Sequence, residues 1–408
     1  MNPNYESLTL ANGLRIIHKH IPTNVSYCGF FVNAGTRDEA SDEYGMAHFV
    51  EHMLFKGTKK RRSHHIINRM ETVGGELNAY TNKEETVIYS IFLEQHFERA
   101  IELLSDLTFH SEFPTYEIEK EIDVILDEIN SYEDSPSELI FDEFENLIFK
   151  GSDLGHNILG EPSSLNTFDA VKARNFVSRY YTPSNIVFFS LGQTDFRKIT
   201  RIAGKYLSDL PQNDLVTKRI APSEIEVVKQ RISKDTSQAH VIIGSKSYDL
   251  HNPKRKTLAL LNNLLGGPGM NSRLNISLRE KKGYVYNVES GLTSYSDTGI
   301  LSIYFGTDKQ NIEKCIKLTY AELKKLRDNK LSSLQLANAK KQLIGQIGVS
   351  ADNHENLALS LGKSFTHYNH FDSINETIQK IESISSTDLL EVANEILDEK
   401  CLFQLIFN

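Results

Sequence analysis

At 408 residues and 46.3 kDa the chain is too long for one ordinary hydrophobic core, so two or more domains are expected. Hydrophobic residues at 39% and charged residues at 24% are the composition of a soluble globular protein. The net charge of −9 and pI near 5.9 exclude nucleic acid as the main partner, because a phosphate-binding surface needs an excess of Lys and Arg.

The first elements are short alternating strands. "SLTLANGLRIIHKHI" reads as two strands across an Asn12-Gly13 turn, and "SYCGFFVNAGT" as a third. A greasy helix follows around His48, then a helical run "HHIINRMETVG" that ends at Gly74-Gly75. The basic run "KKRRSHH", which overlaps its start, is read most simply as a short solvated loop. "ELNAYTNKEETVIYSIFL" is expected to form two more strands. "EQHFERAIELLSDLTF" and "YEIEKEIDVILDEINSYE" space their apolar residues as helices do.

The second half echoes the first. "VIYSIFLEQHFERAIELLSDL" and "ILSIYFGTDKQNIEKCIKLTYAEL" share one order: an aromatic-rich strand, a polar link, an amphipathic helix. "LNTFDAVKARNFVSRYYTPSNIVFFSLG" and "IQKIESISSTDLLEVANEILDEKCLFQLIF" both run from helices into a closing strand. The polar stretch "LPQNDLVTKRIAPSEIEVV", bracketed by Pro211 and Pro222, is the expected link. The expectation is therefore an α+β chain of two similar, duplicated domains, residues 1–212 and 225–408. Each would carry a mainly antiparallel sheet packed by helices.

Three cysteines, Cys28, Cys315 and Cys401, stand far apart. They make neither a disulfide framework nor a Cys-based zinc site, and they suit a reducing compartment. The first twenty residues show neither a secretory signal nor a transit peptide, and no apolar run approaches a membrane span. A cytoplasmic location with no membrane partner is the default expectation.

Within "EYGMAHFVEHMLFKGT", Glu43 to Thr58, two imidazoles and a carboxylate sit close together in an otherwise apolar helix. Residues four apart share a helix face, so His48 and His52 would present their rings to one ion. Zinc favours such nitrogen ligands, and a catalytic site takes three protein ligands and keeps a position open. Glu51 stands beside them, within reach of an attacking water. The order is HxxEH, the reverse of HExxH. A bare HxxEH occurs by chance in roughly a few per cent of chains this long, so a third ligand decides the matter.

"YEIEKEIDVILDEINSYED" offers candidates. Ile118, Ile122, Ile125 and Ile129 trace its apolar stripe, which leaves most of its carboxylates to solvent. Glu121 and Glu128, seven apart, nearly superimpose along the axis. Spacing alone does not choose among Glu121, Asp127 and Glu128.

With these motifs the chain resembles the inverted-motif zinc peptidases of the pitrilysin and mitochondrial processing peptidase family. Their signature is HxxEH with a ligand Glu some seventy to eighty residues later, and Glu128 follows His52 by 76. The resemblance implies one zinc per chain held by His48, His52 and Glu128, with Glu51 as general base. It also implies Glu121 as a supporting acid of the catalytic set. "GGELNAYTNKEET" is similar to the strand after the motif helix, where Asn78 and Ala79 would contact substrate backbone. "LLGGPGMNSRLNISLREKKGYVYNVES" is similar to the family's glycine-rich turn and its substrate pair, here Arg279 and Tyr286, with Tyr286 as an oxyanion donor.

The resemblance thus implies a zinc-dependent endopeptidase acting on peptides or unfolded segments. Residues 1–212 would be the zinc-binding domain, and 225–408 a metal-free homologous domain that contributes Arg279 and Tyr286. Family members of this length pair two chains, so a homodimer with those two residues acting in trans is implied. The rival readings are a non-catalytic structural or substrate-presenting subunit, and a small-molecule metallohydrolase.

Overall fold

A computed structural model describes residues 4–212, 218–234 and 236–408. Residues 213–217 of the expected link lie outside the described residues. The chain opens with β1 (Glu6–Thr9), β2 (Arg15–His20) and β3 (Val25–Val32), then α1 (Met46–Leu54) and α2 (Ser63–Glu71). A hairpin of β4 (Glu76–Thr81) and β5 (Thr86–Leu93) follows, then α3 (Phe97–His110), α4 (Thr115–Glu133) and α5 (Pro136–Ile148). The short α6 (Pro162–Leu165) and α7 (Ala170–Tyr180) lead to β6 (Ile186–Gly192) and α8 (Phe196–Leu207).

The second half starts with β7 (Lys229–Ile232), β8 (Ala239–Ser247), α9 (Arg255–Gly266) and a π-helical turn, Asn275–Glu280. Next come β9 (Val285–Ser294), β10 (Gly299–Thr307), α10 (Ile312–Asp328), α11 (Ser333–Ala351) and α12 (His354–Tyr368). It closes with α13 (Ile374–Glu382), α14 (Ser386–Ile396) and β11 (Phe403–Phe407). No described helix is long and apolar enough to cross a membrane.

The architecture is α+β and duplicated. One sheet runs β1-β2-β6-β3-β5-β4 and the other β7-β11-β8-β10-β9. Set β1 aside and the two orders are the same. In each, the closing strand slots in parallel to the first strand (β6 to β2, β11 to β7), and the other neighbours pair antiparallel.

Alternation explains why the central strands carry apolar residues on both faces. In the first sheet Phe30, Ile88 and Phe188 face α1 and α3, while Phe31, Val87 and Phe189 face Ala358, Leu361 and Phe365 of α12. Both faces are covered, so successive residues are buried rather than every second one. Gly362 of α12 permits the closest approach. A Cβ there would stand 2.4 Å from a ring carbon of Phe31. In the second sheet Val241, Ile243 and Ile303 belong to one core, and Ile242, Ile300 and Phe403 pack with Leu139, Ile140 and Phe144 of α5.

The compact units are therefore not contiguous in sequence, in contrast to ranges drawn in chain order. Ser131–Gly155, with α5, belong to the second unit, and Ser350–Ser373, with α12, belong to the first. Each half contributes one helix to the outer face of the other half's sheet. An amphipathic helix carries no local mark of which sheet it will cover, so chain order suggested contiguous domains.

Glu85, at the β4–β5 turn, fastens α12. It is 1% exposed and accepts hydrogen bonds from Lys363 at 3.0 Å and from His367. Burial alone would raise its pKa, but His367 and Lys363 outweigh burial and hold it at about 2, below its ordinary 4.5. A carboxylate with a depressed native pKa stabilises the fold fully above 4.5, and that stabilisation fades as pH falls toward 2. The contribution is on the order of 2–4 kcal/mol. Glu85→Gln is expected to lower the urea midpoint at pH 7 and to flatten its decline across that acid window. An unchanged slope would assign the acid sensitivity to other carboxylates.

Candidate metal centre

The site is built on α1. Its apolar residues Met46, Ala47, Phe49, Val50, Met53 and Leu54 are wholly buried, which fixes the helix against the first sheet and leaves one edge for its polar residues. Gly45, at φ 95°, starts the helix in a left-handed conformation, and a Cβ there would meet the Gly160 Cα at 2.8 Å. The first turn is held by Glu39, whose carboxylate accepts the Gly45 N–H at 2.9 Å and the Ala47 N–H at 2.7 Å. That buried carboxylate also lies 3.1 Å from His156 Nε2. Burial pushes the Glu39 pKa well above the ordinary carboxylate value, against the pull of the two N–H groups.

His48 and His52 stand on one face, with ring centroids 4.5 Å apart. Helix α4 runs beside them and buries Ile118, Glu121 and Ile125. Glu128 Oε2 lies 3.8 Å from His48 Nε2 and 3.7 Å from His52 Nε2. One donor atom from each residue lies within 4.8 Å of the others. Zinc bonded to nitrogen and oxygen at about 2.0–2.2 Å in a tetrahedron would set its donors roughly 3.3–3.5 Å apart. A contraction of a few tenths of an ångström brings both Glu128 sides of this triangle to that length, and the third side, between the imidazoles, is within 4.8 Å, so the donor set suits the ion. Burial, aided by His52, takes His48 down to about 3, and the ring is therefore the neutral imidazole that a cation requires.

The Thr81 hydroxyl donates to Glu51 Oε2 at 2.7 Å. Burial raises the Glu51 pKa; Thr81 and His52 oppose it, and Glu128 adds to it. Thr81 ends β4, the outermost strand of its sheet, in which Asn78 pairs with Tyr89 and Ala79 with Ile88. The other edge of β4 has no strand among the described residues.

Glu121 and Glu128 bracket one imidazole. Glu121 Oε2 is 3.1 Å from His52 Nδ1, while Glu128 addresses Nε2 of the same ring. Lys56 Nζ sits 2.5 Å from Glu121 Oε1. Glu39, Lys56 and Thr81 were not singled out in the sequence. A Glu before a helix, a Lys after one and a Thr in a strand are each commonplace. The weak signal was position: Lys56 falls one turn after His52.

Arg279 and Tyr286 belong to the second unit. Arg279, in the π-helical turn, lines a cleft of about 420 Å³ with Gly266, Gly267 and Gly269. Tyr286, near the start of the edge strand β9, is 83% exposed. Neither side chain has a hydrogen bond or ion pair among the described residues.

Residues 15–162, which include His48, Glu51, His52 and Glu128, match the family described as "Insulinase (Peptidase family M16)". Residues 167–343 match "Peptidase M16 inactive domain". A Bacillus subtilis protein, "Uncharacterized zinc protease YmxG", is 31% identical over 98% of this chain and 97% of its own length. The chain belongs to peptidase family M16. A second relative, an "Uncharacterized zinc protease" of Rickettsia bellii, is 30% identical over 100% of this chain and 98% of that one. A solved protease from Helicobacter pylori superposes with a TM-score of 0.93 over 100% of both chains at 21% identity, which speaks for the M16 fold alone. Membership gives the chain a peptidase-type function at the level of the M16 family. The relatives' names, together with the donor triangle, support zinc as the metal.

Proposed function

We propose that this M16 chain is a zinc-dependent endopeptidase that cleaves peptides or unfolded protein segments. The observation that carries the reading is the convergence of His48, His52 and Glu128 on one point, with the Glu51 carboxylate alongside. Bound there, zinc would supply Lewis acidity, polarising a carbonyl and acidifying water near neutral pH.

The chain's own residues do the rest. Thr81 fixes Oε2 of Glu51 and leaves Oε1 to take a proton from attacking water and pass it to the departing amine. The open edge of β4, with Asn78 and Ala79, would receive an extended peptide as one more strand, which reads main chain more than side chains. Arg279 and Tyr286, whose polar groups have no partner among the described residues, are suited to a substrate carbonyl and its developing negative charge. Because they lie in the unit that carries none of the donors, the pairing of two chains implied by the resemblance remains part of this proposal.

A second reading, a non-catalytic structural or substrate-presenting subunit, draws on the match of residues 167–343 to a domain described as inactive. The deciding experiment is a peptide-library digest read by mass spectrometry, with and without a chelator. Cleavage at internal bonds is expected, abolished by chelation and restored by added zinc. Intact peptides would favour the second reading or, with stoichiometric bound zinc, a small-molecule metallohydrolase, and chelator-resistant cleavage would end the zinc mechanism.

A further inference from the structure

We propose that Lys56 is a positioning residue for the metal: its ammonium holds the Glu121 carboxylate and, through it, the ring of His52. This rests on the zinc reading above.

The geometry is a short relay. Lys56 N–H donates to the Met53 carbonyl at 3.1 Å, so the residue is part of the turn that closes α1. Its side chain, 26% exposed, reaches back to α4, where Nζ lies 2.5 Å from Glu121 Oε1. The other Glu121 oxygen lies 3.1 Å from His52 Nδ1, and the far side of that ring, Nε2, faces Glu128 at 3.7 Å. Amine, carboxylate and imidazole thus form one line that ends at the donor triangle.

The chemistry fixes the direction of each bond. The Glu121 side chain is only 6% exposed, and an enclosed carboxylate is costly unless a cation meets it. Lys56 is that cation. A carboxylate only accepts hydrogen bonds, so it selects the His52 tautomer with hydrogen on Nδ1. Nε2 then presents a lone pair to the triangle. The opposite tautomer would point an N–H at the place of the cation. Such partners behind metal-bound histidines orient the ring and raise its basicity.

The two histidines differ in how much they need this hold. The side chain of His48 is 10% exposed, and its Nδ1 is buried without a hydrogen-bond partner among the described residues, so packing, and no carboxylate behind it, holds that ring. The His52 side chain is 22% exposed and has less packing to fix it. Nor is Arg61, five residues on, interchangeable with it. Arg61 is engaged by Glu102 at 2.7 Å and Asp106 at 2.5 Å.

The alternative is a salt bridge that only staples α1 to α4. It would change stability and leave the ring untouched. The test therefore reads the ring and the ion in the full chain. Zinc affinity is measured by competition with a chelator. The His52 tautomer is read in the zinc-free protein by nitrogen-15 NMR with labelled histidine, the signal assigned by its loss in His52→Gln.

Lys56→Met is expected to weaken zinc binding about tenfold and to move His52 from the Nδ1–H form to a mixture. Lys56→Arg, which keeps the cation, should recover most of both. If Lys56→Met fails to fold, Lys56→Gln gives the same reading with a polar, uncharged side chain. Wild-type affinity and an unchanged tautomer in the uncharged variant would overturn the proposal, whatever the thermal midpoint did. If the wild type itself bound no zinc, the zinc reading would fall, while the zinc-free tautomer would still report on Lys56.

Discussion

Glu51→Gln is expected to retain zinc and to lose peptide hydrolysis by about 10²–10⁴-fold, the span that general-base catalysis supplies. The substitution is close to isosteric, and the amide oxygen still accepts from the Thr81 hydroxyl, now 2.7 Å from Oε2. The three donors are untouched. What disappears is the ability to take a proton, since an amide oxygen is a far weaker base than a carboxylate and the amide nitrogen only donates. Two measurements separate cause from side effect: bound zinc per chain by atomic absorption, and the rate against a peptide found in the library digest. Unchanged zinc with a collapsed rate supports the assignment. A variant that turns over peptide at the wild-type rate with full zinc would remove Glu51 from the proton's path.

How much of this was legible beforehand depended on whether a feature lived along the chain or across it. The HxxEH pair was readable because four-residue spacing on a helix is itself geometry. The strands showed as alternation, the Asn12-Gly13 turn as a dipeptide, and the duplication as a repeated order of elements. Thr81, Glu39 and Lys56 were not readable. Each acts on a residue that is local in space but separated from it in sequence: Glu51 by 30, Ala47 by 8 and Glu121 by 65 positions. The exchange of α5 and α12 was hidden for a related reason. Their apolar stripes fit a sheet face, and nothing in the stripe says whose. The choice among Glu121, Asp127 and Glu128 shows the boundary most clearly. Seven residues on a helix rise about 10.5 Å, two turns, so the two glutamates sit on one line and spacing does not distinguish them as ligands. It took the depth of the His52 ring between them to give Nδ1 to Glu121 and Nε2 to Glu128.

That division of labour sets the second large expectation. Glu128→Gln should weaken zinc by more than about a hundredfold, beyond the 10–100-fold typical of partners that act through a ligand, because the donor itself loses its charge. The change is mild for the fold. The Glu128 side chain is 43% exposed, and its ion-pairing distances are the 3.7 and 3.8 Å approaches to the imidazoles. Peptide cleavage should vanish at trace zinc and return in part when zinc is raised. Asp127→Asn, one residue away, serves as the control: it should leave zinc affinity within about twofold, as expected of a surface carboxylate with no ion to hold. Chelator competition across both variants ranks the candidates without reference to catalysis. If Asp127→Asn loses the metal and Glu128→Gln keeps it, helix α4 is rotated from the register seen here. The Glu121 contact to His52 would then go with it, since both carboxylates are carried by that one helix.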